Sequence, residues 1–206
     1  MPDVVSPRRM VSMKKAEYNK IDYQLRRHIA ECLKLLGYDL RDDNFKDTPK
    51  RMAKIWMEEL HIDQPATKKL FSVFDEPFDQ MVTLIGHKTW TRCPHHFERV
   101  LMEVSIGYVP DGKVLGLSKL ARIADYYAKG LVLQERYVEN VVNGLMESLA
   151  PKGVGIHVKG QHLCMQARGV ETVGHIVTTA LRGVFMERPE TQREFIQYVL
   201  HNERSK

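Results

Sequence analysis

The chain has 206 residues, 43% hydrophobic and 28% charged, a balance that suits one folded globular domain, or one such domain with a smaller attached piece, and excludes a disordered or fibrous chain. Thirty-one basic against 26 acidic residues leave +5, but residues 1–20 alone hold five basic side chains (Arg8, Arg9, Lys14, Lys15, Lys20) and two acidic ones (Asp3, Glu17), so the body is nearly neutral and argues against nucleic acid as a partner. No stretch approaches the ~20 apolar residues of a membrane span, no apolar secretory core opens the chain, and three cysteines are too few and odd for a disulfide framework, so a reducing, cytoplasmic setting is expected.

Residues 1–15 mix Pro, Ser, Arg and Val without period and are expected to form a flexible basic arm. Residues 16–75 read as an N-terminal helical segment. Ile21, Leu25, Ile29, Cys32 and Leu36 recur at helical spacing, Gly37 is placed to end that helix, and Cys32 is read as a buried apolar residue. Asp47-Thr48-Pro49 predicts a second helix, opened by a capping side chain and a first-turn proline, with Met52, Ile55 and Trp56 on one face.

Residues 76–206 read as a second domain. Met102, Val104, Ile106 and Tyr108 alternate with Leu101, Glu103, Ser105 and Gly107, a strand with one buried face, and Pro110-Asp111-Gly112 follows as a turn. A helix is predicted from Ser118 as N-cap, with Leu117, Leu120, Ala124 and Tyr127 inward. A second is predicted over 134–149, with Val138, Val141, Val142, Leu145 and Leu149 on one stripe and Pro151-Lys152-Gly153 as its breaker. Strands are expected at 154–159, 162–167 and within 174–185, and Pro189 opens a last helix with Phe195, Ile196 and Val199 inward. Strands, two helices, then strands again imply an α+β domain with helices on one face of an antiparallel sheet.

The string Thr91-Arg92-Cys93-Pro94-His95-His96 contains a Cys-x-x-His pair, a spacing at which a tight turn aims a thiolate and an imidazole at one ion. Two ligands do not make a zinc site. A second half is offered by His162-Leu163-Cys164, read as extended, so that His162 and Cys164 share a face with Leu163, Met165 and Ala167 behind them. Two arrangements follow. If Cys93, His96 and Cys164 bind zinc, a fourth position is left for water, and His95 and His162 stand beside it as proton carriers. If Cys93, His96, His162 and Cys164 all bind, the result is a closed structural knot. The short His-x-Cys spacing favours the first. His28, His61, His87, His157, His175 and His201 stand alone and are read as ordinary surface or satisfied residues.

Five motifs in order resemble the GTP cyclohydrolase I family over roughly residues 20–200: Asp47-Thr48-Pro49-Lys50-Arg51, Cys93 to His96, Gly116-Leu117-Ser118-Lys119-Leu120-Ala121-Arg122, Gln134-Glu135-Arg136, and His162 to Gly169. The chain departs from the family pattern at Pro94, where Glu is usual, and at Gly130-Leu131, where Arg-Pro is common, and keeps every metal ligand and phosphate-binding cation. The resemblance implies the tunnelling fold, an α+β unit with two helices on one face of an antiparallel sheet, assembled into a homodecamer with active sites between subunits. It implies a zinc (Zn2+) enzyme that converts GTP to 7,8-dihydroneopterin triphosphate and formate, at the head of a folate, other pterin or deazaguanine pathway.

By the same resemblance, Cys93, His96 and Cys164 hold zinc, which activates the water that attacks C8 of guanine. His162 protonates the ring nitrogen and later assists ribose opening, with His95 in support. Glu135 accepts hydrogen bonds from the guanine ring N–H and amino group, and Gln134 is a further base contact. Lys119, Arg122 and Arg168, joined by Arg51, bind the triphosphate, and Ser118 meets the ribose or a phosphate. Within this chemistry the alternative is a purine hydrolase that acts on dGTP or halts at the ring-opened formamide. Outside it, the alternative is a non-catalytic, zinc-stabilised protein that binds nucleic acid or a partner.

Overall fold

The computed structural model describes residues 14–60 and 70–204. The chain divides into two compact units, residues 1–66 and 67–206. The basic arm expected over residues 1–15 lies outside the described residues except for Lys14 and Lys15.

In the first unit, α1 (Lys15–Leu35) packs along α2 (Thr48–Glu59). Gly37 ends α1 as expected. At φ +86° it lets its own N–H reach the Lys34 carbonyl and the Tyr38 N–H reach that of Leu33, the paired bonds of a left-handed helix stop. Cys32, expected in the core, is exposed, and of its stripe only Ile29 is buried. Helical spacing puts these residues on one side of α1, but within this unit that stripe is buried only at Ile29. On α2 the buried face is Pro49, Ala53 and Met57, not Met52, Ile55 and Trp56. Asp47 occupies the N-cap but makes no capping bond there. Its carboxylate instead lies 3.6 Å from Arg51.

The second unit is built on a four-stranded antiparallel sheet in the order β2 (Val82–Arg92), β3 (Arg99–Val109), β5 (Gly153–His162), β6 (Ile176–Gly183). A small antiparallel pair, β1 (Val73–Asp75) with β4 (Lys113–Leu115), stands beside it. α3 (Leu117–Ala128) and α4 (Gln134–Leu149) lie on one face, their Leu120, Ile123, Ala124, Tyr137, Val141, Val142 and Leu145 packed against Met102, Val104, Ile106, Ile156 and Val158. This is the α+β arrangement expected, with two helices on one face of an antiparallel sheet. The N-cap of α3 is Gly116 rather than Ser118, which is the second helical residue, and Leu117, expected inward, is 87% exposed.

The predicted alternation of β3 holds only in its first half. From Val104 to Tyr108 every residue is buried, because a second cluster covers the opposite face. There α6 (Val184–Glu187) and α7 (Pro189–Arg204) bring Phe185, Phe195 and Val199 onto the sheet, edge to face with ring centroids 5.6 Å apart. Gly107 makes the approach feasible, since a Cβ there would lie 2.9 Å from the Phe195 ring. Residues 162–167, expected as a strand, are divided. β5 runs unbroken through Gly160 and ends at His162, and α5 (Leu163–Gln166) is a single helical turn. Among the described residues no helix is long and apolar enough to cross a membrane.

β2 carries one extra residue. Leu84 pairs with Ile106 and His87 with Val104, three steps on β2 against two on β3, and Gly86 takes φ +69° at the irregularity. The bulge reverses the strand's parity. Val82 and Leu84 face the α3–α4 side before it, and Thr89, Thr91 and Cys93 are the residues buried after it. Gly86→Val is therefore expected to destabilise the protein by roughly 1–3 kcal/mol, read as a lower midpoint in urea unfolding.

Candidate active site

Three aligned residues place the site. Val100 of β3 pairs with Thr91 of β2 on one side and with His162 of β5 on the other. β2 and β5 run in the same direction, so both arrive at one end of the sheet about two strand spacings, roughly 10 Å, apart. Cys93 lies two residues past Thr91 and Cys164 two residues past His162, where both chains turn off the sheet. A tight loop follows β2: the Cys93 N–H donates to the Glu98 carbonyl at 2.8 Å, the Phe97 N–H to the Cys93 carbonyl at 2.9 Å, and the Arg92 guanidinium to the Phe97 carbonyl at 2.7 Å. Phe97 takes φ +60°, which is costly for a bulky residue and shows how firmly the loop is held.

That loop and the turn of α5 bring Cys93 Sγ, a ring nitrogen of His96 and Cys164 Sγ within 4.8 Å of one another. Cys93 is buried, Cys164 half-buried and His96 exposed, so the group opens to solvent on one side. His96 Nδ1 is 3.6 Å from Cys93 Sγ and His95 Nδ1 is 3.9 Å from it, with the two imidazoles edge to face. His162 stands outside the group and is bound elsewhere: its Nε2 lies 2.9 Å from Gln134 Oε1. α4 is drawn to this end by the loop before it. Val132 donates to the Arg92 carbonyl at 3.1 Å, and Arg92 bridges Leu131. The Gly130-Leu131 pair that departs from the family pattern thus carries backbone contacts to the strand that leads into Cys93.

The sequence profile of GTP cyclohydrolase I matches residues 25–200. The chain belongs to the GTP cyclohydrolase I family. Among its relatives, GTP cyclohydrolase 1 of Aquifex aeolicus (strain VF5) is 37% identical over 177 residues, spanning 85% of this chain and 95% of that protein. GTP cyclohydrolase 1 of Wolinella succinogenes is 37% identical over 177 residues, 84% of this chain and 94% of the relative. Solved structures show fainter likeness: an archaeosine synthase QueF-Like protein in the apo form has a TM-score of 0.41 at 19% identity over 52% of this chain and 96% of its own. Escherichia coli dihydroneopterin aldolase with neopterin has 0.41 at 16% over 50% and 99%.

In this member of the GTP cyclohydrolase I family, Cys93, His95, His96, Cys164, His162 and Gln134 come together at the sheet end, with Glu135 beside them on the first turn of α4. Ser118, Lys119 and Arg122 stand on the first turns of α3, Ser118 and Arg122 exposed and Lys119 half-buried. Arg168 is exposed just after α5, and Arg51 is exposed on α2 of the first unit. Gln134, expected to touch a base, is buried at 2% exposure. Gly160 and Thr178, which shape its surroundings, were not signalled as site residues; a glycine inside a strand was the one cue available for the first.

The donor set fits zinc. Two thiols and an imidazole have the softness that zinc prefers, and donors within 4.8 Å need only close to roughly 3.5 Å to share a tetrahedral ion. Burial holds the His162 imidazole below its usual range, opposed by the Glu135 carboxylate. Burial also raises the Cys164 thiol, helped by its hydrogen bond to Cys93 and by the Cys93 and Glu98 charges. A thiol raised above its ordinary value keeps its proton at neutral pH and must lose it to become a ligand. Zinc affinity of the metal-free protein is therefore expected to climb steadily from pH 6 to 8, with protons released on binding, as measured by chelator competition and calorimetry in buffers of differing ionisation enthalpy.

Proposed function

We propose that this chain is a zinc-dependent GTP cyclohydrolase I, opening the imidazole ring of guanine in GTP, releasing C8 as formate and closing the remainder to 7,8-dihydroneopterin triphosphate. The observation that carries the reading is the convergence of Cys93, His96 and Cys164 within 4.8 Å, with His162 outside that group, in a chain of this family. A closed four-ligand knot is disfavoured, because the donor atoms that converge within 4.8 Å are those of Cys93, His96 and Cys164, and His162 is not among them.

Cys93, His96 and Cys164 would hold the ion, and the chemistry zinc supplies when bound is Lewis-acid activation of water at neutral pH. His162, at the end of β5, carries protons to and from the guanine ring nitrogen and later the ribose oxygen, with His95 beside Cys93 in support. Glu135 presents an exposed carboxylate on the first turn of α4, an acceptor pair for the guanine N–H and its amino group. Lys119, Arg122 and Arg168, joined by Arg51, bind the triphosphate, for which guanidinium groups offer paired donors. Ser118 meets the ribose or a phosphate.

These cations are largely exposed in the single chain, and β2 and β6 are the outer strands of the sheet, which supports assembly into a ring of copies that pair these edges and complete the site between subunits. A homodecamer is the form this takes in our reading. Two free thiols this close also suit a reducing, cytoplasmic compartment, where they remain available as ligands.

Zinc-loaded protein given GTP is expected to release formate and a fluorescent pterin, with product mass distinguishing the full conversion from a halt at the formamide and with dGTP as the comparison substrate. His162→Ala should keep stoichiometric zinc while kcat drops by about 10²–10⁴-fold. Cys164→Ala should lose both. Absence of turnover by the metal-replete wild type would refute the reading, and loss of zinc from His162→Ala would make His162 a ligand.

A further inference from the structure

Gln134 sits at the first position of α4, in sequence beside Glu135, yet its surroundings give it a different task. It is 2% exposed and spans the gap between β5 and β6. Its Nε2 donates to the Ile176 carbonyl at 3.0 Å, the Thr178 hydroxyl at 3.1 Å and the Val158 carbonyl at 3.4 Å. Turning the amide over would aim its oxygen at two carbonyls, so the orientation is decided by the partners. Oε1 therefore faces His162, and an amide oxygen only accepts. At 2.9 Å the donor is His162 Nε2–H.

A second observation points the same way. Gly160 lies inside β5, in extended backbone that any residue adopts, and a Cβ there would stand 1.9 Å from Gln134 Oε1. The glycine leaves the space that the amide fills. A buried amide with its donors and acceptor engaged has nothing to offer a purine, whereas it holds one imidazole in a single orientation.

We propose that Gln134 is a positioning residue: it orients the His162 ring and holds a proton on Nε2, which leaves Nδ1 for the substrate, while Gly160 makes room for it. The kinetic part of this proposal rests on the functional reading above, and the structural part does not. The test uses full-length, zinc-loaded protein with 15N-labelled histidine, at a pH above the imidazole range, the His162 signals being assigned by their loss in His162→Ala. The Nε2–H tautomer is expected in the wild type. Gln134→Met, and Gly160→Ala, which displaces the amide without altering it, should each shift His162 toward a tautomer mixture. An Nδ1–H wild type, or a His162 spectrum indifferent to both variants, overturns the proposal.

With GTP, both variants should lose about 10- to 100-fold in kcat with KM little changed, as a misplaced catalytic group does. Gln134→Met added to His162→Ala should cost nothing further, because the two act as one unit. A raised KM at unchanged kcat, or losses that multiply in the double variant, would return Gln134 to base binding. A wild type with the expected tautomer but no turnover of GTP would defeat the functional reading and leave the positioning intact.

Discussion

A single inserted residue in β2 governs where the chemistry can be built. Side chains on a strand alternate strictly, so the face to which Cys93 points is decided by every residue before it. Val82 and Leu84 pack on the α3–α4 side, and a regular strand would send Cys93, nine positions beyond Leu84, to the opposite face. The extra residue at Gly86 restores it to the helix side, where Thr89 and Thr91 precede it in burial. The bulge is held from both directions: the Gly86 N–H donates to Ser105 Oγ at 3.1 Å, and Asn202 of α7 leaves no room for a Cβ. The register of β3 then does the rest, since Val100 ties Thr91 and His162 into one row.

The sheet is also covered on both sides, over the half that lies away from the site. One face carries α3 and α4, and half of the other is sealed by Phe185 and Phe195, so β3 is buried on both faces from Val104 to Tyr108. The remaining part of that second face is polar and aromatic: Lys88 pairs with Glu103, which also accepts from Asn202, and Trp90 lies within 6 Å of both Arg99 and Lys129 cations. A long strand anchored over half its length delivers its far end with little freedom. That suits metal ligands, whose donors need placement to a fraction of an ångström.

Much of this was legible in the sequence, and the misses share a cause. The helical stripe of α4, the strand of β3 and the stop at Gly37 follow from local periodicity and backbone preference, and all three formed. The convergence of Cys93, His96 and Cys164 is one of the two arrangements that the spacing offers, although the conformation expected for its second half differs. The spacing predicts His162 and Cys164 on one face of an extended strand, whereas the strand ends at His162 and Cys164 lies in a helical turn. Spacing of two residues is compatible with either conformation when the chain bends. What local pattern cannot carry is a partner's identity. Cys32 lies on a helical stripe of which only Ile29 is buried. Leu117 is exposed at the first position of a helix whose N-cap, Gly116, lies two residues before the expected serine. Gln134 read as a polar residue near a site, and only the packing of β5 and β6 around it reveals a buried amide.

The site residues divide by how much freedom they retain, and the division follows what each must meet. The thiols and His162 are placed by the sheet end and by burial, with Gln134 holding His162, and in the proposed reaction the groups they serve are one carbon and its adjoining nitrogen, where small displacements are expensive. Ser118, Arg122, Arg168 and Arg51 are exposed, on helix starts or beside a turn at Gly169 with φ +68°. A triphosphate offers many equivalent oxygens and several rotatable bonds, so long cationic side chains can meet it without prior rigidity, and hydrated guanidinium groups cost little to hold ready. The net charge of the chain says nothing about this. The formal +5 is spread with five of its basic residues in the first twenty positions, and the cations proposed for the triphosphate are picked out by where helices begin and strands end. In the proposed reaction, binding energy gathered by these exposed cations is available for seating the base against the groups at the sheet end, the arrangement by which remote contacts raise the rate of a reaction at a fixed centre.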